Sequence, residues 1–416
     1  MLDKLLARYR IEKSHFDELG DTAKLLFYSY TLFLLSYPMM GTFLNAYLWR
    51  QSSDISLIAI YNLGFFVALP IGFYLNGMLL RTISLLRLYW LGTILQGLAA
   101  FLTIFLPSAN LNRIFVYGLM FGLGGGIYWA NKNYLSLKIT RGKNRNYYNN
   151  LEGSLDLIIG TIMPVLIGWF IVLGSYLDIY SIESAYKLLM LIAFGLLVIS
   201  GHLMQSANIQ HETIQNISLP KSTRIWNLSR LVQIIYWTLG GINFIIPTVL
   251  VLMFVGEEGI LGTVESVVYL FSAVILYYLG RKTDSRHHIT IVMVCAAIFL
   301  LAAILYNFTF GLVGALIYTM FCSLTSGPAW NAIYTTTMEV MDKEHGENPS
   351  VSQYGYVLDN EIFFNLGRLL GMVLFFGLAY ITTQETSLRF TPIIAGSLQL
   401  LLIYPLSILV RYHRGK

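Results

Sequence analysis

The chain has 416 residues, of which 56% are hydrophobic and only 12% charged, whereas a water-soluble domain carries about 25% charged residues. A soluble fold is excluded on that ground. Its two cysteines, Cys295 and Cys322, both lie in apolar stretches, so they read as core residues and not as the framework of a secreted disulfide domain.

In chain order, residues 1–23 come first, charged in both signs and without the basic, apolar, small-residue order of a cleavable signal peptide. Leu2, Leu5, Leu6, Tyr9 and Phe16 alternate there with Lys4, Arg8, Arg10 and Lys13, a pattern that predicts a short amphipathic helix on the membrane surface. Apolar stretches of spanning length, each about 20 residues or more, follow at 24–49, 54–79, 84–106, 111–139, 145–174 and 183–204. A polar connection, 205–223, contains Asn208, Gln210, His211, Glu212, Gln215 and Asn216 and ends near Pro220. It reads as a linker. Six further stretches occupy 224–252, 258–280, 288–306, 309–341, 350–380 and 389–411, before a tail at 412–416. The expected architecture is an all-α integral membrane protein of twelve transmembrane helices, in two pseudo-symmetric six-helix halves at 24–204 and 224–411.

Positive charge supports that count. Lys and Arg in short loops are retained on the cytoplasmic side. Placing both termini, the linker and the even-numbered loops there leaves only Arg50, Arg113, Lys187 and Arg389 of the 27 basic residues on the opposite face, with Lys132 and Arg368 inside the membrane. The net charge of +5 therefore reflects topology, and no nucleic-acid partner is expected.

The second half restates the first. Phe121, Asn131 and Tyr134 recur 200 residues on as Phe321, Asn331 and Tyr334, and Trp129 recurs as Trp330 after a slip of one residue. In the next helix Leu151, Glu152 and Gly160 recur as Leu358, Asp359 and Gly367. The turn after the eighth stretch reads Gly280-Arg281-Lys282-Thr283-Asp284-Ser285-Arg286, and its first-half counterpart, Asn76-Gly77-Met78-Leu79-Leu80-Arg81, lacks the acidic residue.

With these features the chain resembles the major facilitator superfamily over nearly its whole length: twelve spans, a polar central linker, cytoplasmic termini and basic turns after spans two and eight. The resemblance implies secondary active transport of a small organic solute between the halves by alternating access. It casts Arg281, Asp284 and Arg286 as gating residues of the second-half turn. Gly160, Pro164 and Gly168 in the fifth span resemble the pattern of the same helix in proton-coupled antiporters, which implies export, although small residues at that spacing also serve helix packing.

Ionisable groups inside the membrane cost about 2.5–3.5 kcal/mol each on insertion scales and persist where they have a partner or a task. Lys132 lies in the fourth span, Glu152 and Asp156 share a face of the fifth, and Asp359, Glu361 and Arg368 belong to the eleventh. Lys132 is placed to pair with Glu152 or Asp156. Asp156 and Arg368 lie deepest and, with Lys132, are the expected substrate or coupling residues; Glu152, Asp359 and Glu361 are expected as gating or relay groups. A coupling carboxylate must gain and lose a proton, which desolvation makes feasible near neutral pH. Tyr37 and Asn45 of span one, Asn131 of span four, Trp237 and Asn243 of span seven and Asn331 of span ten complete the candidate cavity. Glu265 is expected near the outer interface. Pro38, Pro70, Pro164, Pro247 and Pro328, with the run Gly122, Gly124, Gly125 and Gly126, are expected to bend or soften their helices.

No phosphate loop, nucleophile or metal set is present: His287 and His288 are adjacent and cannot chelate from one helix face. No cofactor is expected. The partners expected are a small-molecule substrate, a proton as candidate coupling ion, and the lipid bilayer of a bacterial inner membrane, with the protein a monomer. A membrane-embedded enzyme, a lipid flippase and a transporter-like sensor are the alternatives.

Overall fold

In hydrocarbon a segment must satisfy its own backbone hydrogen bonds, so long apolar runs fold as helices. The computed structural model describes residues 13–107, 110–140, 142–209, 218–282, 286–347 and 351–413, and among these every regular element is an α-helix. The first half comprises span 1 in two pieces (Asp21–Met40 and Thr42–Ser52), span 2 (Ile55–Leu79), span 3 (Leu85–Phe105), span 4 (Leu111–Ile139), span 5 (Gly142–Tyr176) and span 6 (Ile182–Gln205). The second comprises span 7 in two pieces (Arg224–Asn243 and Ile246–Phe254), span 8 (Glu258–Lys282), span 9 (His288–Phe308), span 10 (Leu312–Glu347), span 11 (Gln353–Ile381) and span 12 in two pieces (Gln384–Leu400 and Ile403–His413).

Ten of these rods are long and apolar enough to cross a membrane. The two others are span 1, divided at Gly41, and span 4, which carries Lys132 and several amides; both pack among the ten. Polar caps fix many helix starts. Asp54 accepts from the Ser56 amide at 2.9 Å and Thr223 from that of Trp226 at 3.0 Å, each satisfying a donor that the first turn would otherwise leave bare. The surface helix expected over 1–23 lies outside the described residues as far as residue 12. From Lys13 one helical turn leads to buried Leu19 and into span 1.

Within the first half the tightest seam joins spans 2 and 4. A methyl group on Gly118 would collide with the Tyr61 carbonyl, and one on Gly126 with that of Leu69. The glycine run expected to soften span 4 therefore does something else. The helix is unbroken, and Gly122 and Gly126 let it touch the backbone of span 2, while Gly124 lets it touch that of span 3. The halves meet along spans 1 and 7, 2 and 11, and 5 and 8. In the last of these, Gly168 abuts the Glu258 carbonyl and Gly262 that of Pro164, so the glycine and proline pattern of span 5 forms a seam between halves.

Overpacking such a contact costs roughly 1–3 kcal/mol. Gly126→Val should lower the melting temperature in detergent by several degrees, whereas Gly153→Ala, at a position with nothing within 4 Å, should leave it unchanged.

A candidate substrate cavity between the halves

The breaks in spans 1 and 7 fall at matching points of the two halves. Pro38 precedes Gly41, and Pro247 follows the break after Asn243, so each span lacks an amide where its helix would have to run on. The groups released there are used across the interface. Asn45, buried just beyond the first break, donates to the carbonyl of Phe244 in the second at 3.3 Å and accepts from Asn62 at 3.1 Å.

Two cavities, of about 460 and 260 Å³, open around these breaks and share Tyr37, Asn243, Phe244, Tyr269, Cys322 and Ser326 as walls. The larger has an aromatic lining. Trp237 and Trp330 meet edge to face at 5.1 Å, and Tyr236 stacks on Trp330 at 5.7 Å. The smaller carries an acid: Glu265 lines it, accepting a hydrogen bond from Thr42 at 3.0 Å across the interface. Glu265 thus lies in the central cavity and not at the outer interface expected for it.

Arg368 reaches the same region. Its guanidinium lies 4.0 Å from the Trp237 ring centre and 5.4 Å from that of Phe66 in the opposite half. Its Nη1 donates to Asn365 at 3.0 Å, and its Nε, like the indole Nε1 of Trp237, is buried without a hydrogen-bond partner.

The other charged groups divide by location. Lys132 donates to Glu152 at 2.7 Å and sits 4.2 Å from the Tyr30 ring centre, a buried pair between spans 4 and 5. Asp359 takes a fork from Arg230 at 2.7 and 2.8 Å and a third bond from the Trp226 indole at 2.7 Å, tying spans 7 and 11. Both pairs join helices of one half. Asp156 is exposed and forms no ion pair among the described residues, although its charge acts on Tyr37 and Tyr269 of the cavity wall. Glu361 is half-buried and its charge acts on Arg368 without ion-pair contact.

The repeat-related amides differ. Asn131 is fully buried and donates to Asn76 at 2.6 Å, whereas Asn331 is exposed. The one-residue slip that aligns Trp129 with Trp330 explains it, because one residue turns a helix by 100° and moves the side chain to another face. Asp284 and the side chain of Arg281 lie outside the described residues; Arg286 is exposed.

Two contacts that sequence reasoning missed join the halves at their ends. Opposite the linker, Arg50 grips fully buried Glu258 with bonds of 2.6 and 2.7 Å, and Tyr186 adds a third of 3.0 Å. At the linker end, the Tyr354 hydroxyl donates to the Phe73 carbonyl at 2.7 Å and accepts from Asn76 at 3.3 Å. A signal for the acids was present: Glu258 and Glu265 are seven residues apart and so share a helix face.

Two six-helix halves enclosing a central cavity at paired helix breaks define a membrane transporter, not an enzyme. The chain belongs to the Major Facilitator Superfamily, whose sequence profile matches residues 25–372. It is 26% identical over 378 residues to the uncharacterised protein YqgE of Bacillus subtilis, covering 88% of this chain and 84% of that one. In fold it is similar to the nucleoside transporter NupG (TM-score 0.65, 11% identity, 94% of this chain and 100% of that one). It is likewise similar to the Escherichia coli fucose:proton symporter FucP (TM-score 0.61, 13% identity, 94% and 98%).

Removing one partner of a buried ion pair strands the other charge, at a cost of about 3–5 kcal/mol. Lys132→Met should therefore sharply lower thermal stability in detergent. The double variant Lys132→Met, Glu152→Gln should recover most of the loss, which a four-way comparison of melting temperatures would read.

Proposed function

We propose that this transporter is a secondary carrier that binds a small organic solute in the central cavity, exposes it alternately to each side, and couples the movement to protons. The observation that carries the reading is the pair of cavities with shared walls at the breaks of spans 1 and 7, with Glu265 lining the smaller and no cation in ion-pair contact with it among the described residues. A carboxylate held by one neutral hydroxyl can take up a proton without breaking an ion pair. Asp156, also unpaired, is the second candidate for that role, with Glu361 as a relay.

The retention of Lys and Arg in cytoplasmic loops puts the linker end in the cytoplasm. The contacts at the two ends then act as alternate locks: Arg50 with Glu258 on the outer side, Tyr354 with Asn76 and Phe73 on the inner. The Bacillus subtilis relative supports a bacterial plasma membrane. The fifth-span resemblance favours export, and the protein works as a monomer, since the cavity is complete within one chain.

Purified protein in liposomes holding a trapped pH dye, challenged with organic solutes one at a time, should show solute-dependent proton movement. Glu265→Gln or Asp156→Asn should abolish the pH dependence of transport while solute binding persists, and the residue whose loss does so is the coupling site. Solute movement with no proton signal at any pH would remove the coupling.

A further inference from the structure

Taking the central cavity as the solute site proposed above, we infer that its substrate is an organic monoanion with a flat apolar body, its carboxylate received by Arg368 and the indole N–H of Trp237.

The inference starts from two donors that lack acceptors. Arg368 Nε and Trp237 Nε1 are both buried and, among the described residues, unbonded, and a buried donor left unmade costs the full desolvation of that group. They belong to one assembly, because the guanidinium lies on the face of that same indole at 4.0 Å. Arginine stays charged in any protein environment. The one side-chain bond of Arg368, to Asn365, is neutral, and no carboxylate comes within ion-pair distance of it among the described residues. A carboxylate oxygen is the acceptor that suits both donors, since charge-assisted bonds to arginine are the strong ones.

The rest of the ligand follows from the walls. Trp237, Trp330, Tyr236, Phe244 and Phe299 line the larger cavity, which gives stacking faces for a planar body. Its volume of about 460 Å³ lies in the ordinary range for small-molecule sites, about 300–1,000 Å³. Charge limits the anion to one unit: among the described residues the cation against this wall is Arg368, through Trp237, while Glu265 and Asp156 oppose further negative charge. The arginine stands between Phe66 of one half and Trp237 of the other, so an anion held there would bear on both.

The test uses shape-matched probes on the purified full chain in detergent: radiolabelled 2-naphthoate by equilibrium dialysis, competed with 2-naphthamide and with 2-naphthylmethylammonium. The carboxylate should bind at least tenfold more tightly than either competitor. Arg368→Gln should weaken naphthoate at least tenfold and leave the amide unchanged, and Arg368→Lys should retain the preference for the anion. Trp237→Phe, which keeps the ring and removes the donor, should weaken naphthoate roughly tenfold, the worth of one hydrogen bond to a charged group.

Equal or tighter binding of the amide or the ammonium, or binding of none of the three at millimolar concentration, overturns the inference, and these wild-type measurements stand even if a variant fails to fold. The two readings fail separately. Anion-selective binding without solute flux in liposomes would overturn the carrier reading alone, and flux confined to neutral or cationic solutes would overturn the anion site alone.

Discussion

Inside a bilayer there is no water to satisfy a polar group left over from folding, and this constraint separates the structural groups of the molecule from the available ones. Within each half many buried polar groups pair off, although others there, Gln96 Oε1 and Ser229 Oγ among them, have no partner among the described residues. Ser29 bonds Tyr89 and Ser200 at 2.8 and 2.9 Å, Gln233 bonds Thr337 at 2.7 Å, and Lys132 and Asp359 each have an ionic partner on a neighbouring helix of the same half. Between the halves the pairing stops short. Among the described residues Trp237 Nε1 and Arg368 Nε have no partner, and Glu265 has one hydroxyl. Groups left incomplete in hydrocarbon are expensive, and the two that stand together at the cavity wall, Trp237 Nε1 and Arg368 Nε, are the ones placed where something else can bind.

The same division sets the mechanics. Each half is held by contacts that cannot slide, such as the backbone-to-backbone seam of spans 2 and 4 at Gly118 and Gly126. Contacts between the halves include single hydrogen bonds whose partners water could replace once the seam opened: Asn45 to Phe244, Thr42 to Glu265, Tyr354 to Phe73. Asn76 belongs to both sets, accepting from Asn131 within its half and donating to Tyr354 across the interface. It thereby ties the packing of span 4 to the state of the linker end.

How far the sequence discloses this depends on the kind of signal. Apolar length and the distribution of Lys and Arg mark the spans, because insertion energy is additive along the chain and needs no knowledge of neighbours. The pairing of Lys132 with Glu152 was legible for a related reason: consecutive helices joined by a short turn must lie side by side, so the number of partners is small. Glu265 was not legible. Counting along the span set it near the outer interface, whereas its place on the cavity wall depends on how spans 5 and 8 pack, through Gly168 and Gly262. The partner of Arg50 lies 208 residues away in Glu258, and no local pattern names it. Asn131 and Asn331 show the limit of repeat reasoning, since one residue of slip turns an equivalent position to a different face.

The two halves share a backbone plan but not a distribution of chemistry. Glu265 and Arg368 both belong to the second half, on spans 8 and 11. What the first half presents to them is neutral: Thr42 to the acid, and the face of Phe66 to the base. Lys132 of the first half is neutralised by Glu152 and held over Tyr30, whereas Asp156 of that half forms no ion pair among the described residues. A site whose opposite charges sit on one rigid body keeps their spacing constant as the other body moves. The approaching half changes only their solvation and their neutral partners. For charges held at fixed spacing, loss of water is the larger change, because an ion at the same separation is worth several times more energy once the dielectric falls. Closure of the first half onto the second can therefore strengthen the grip on a bound ion without moving either charged residue.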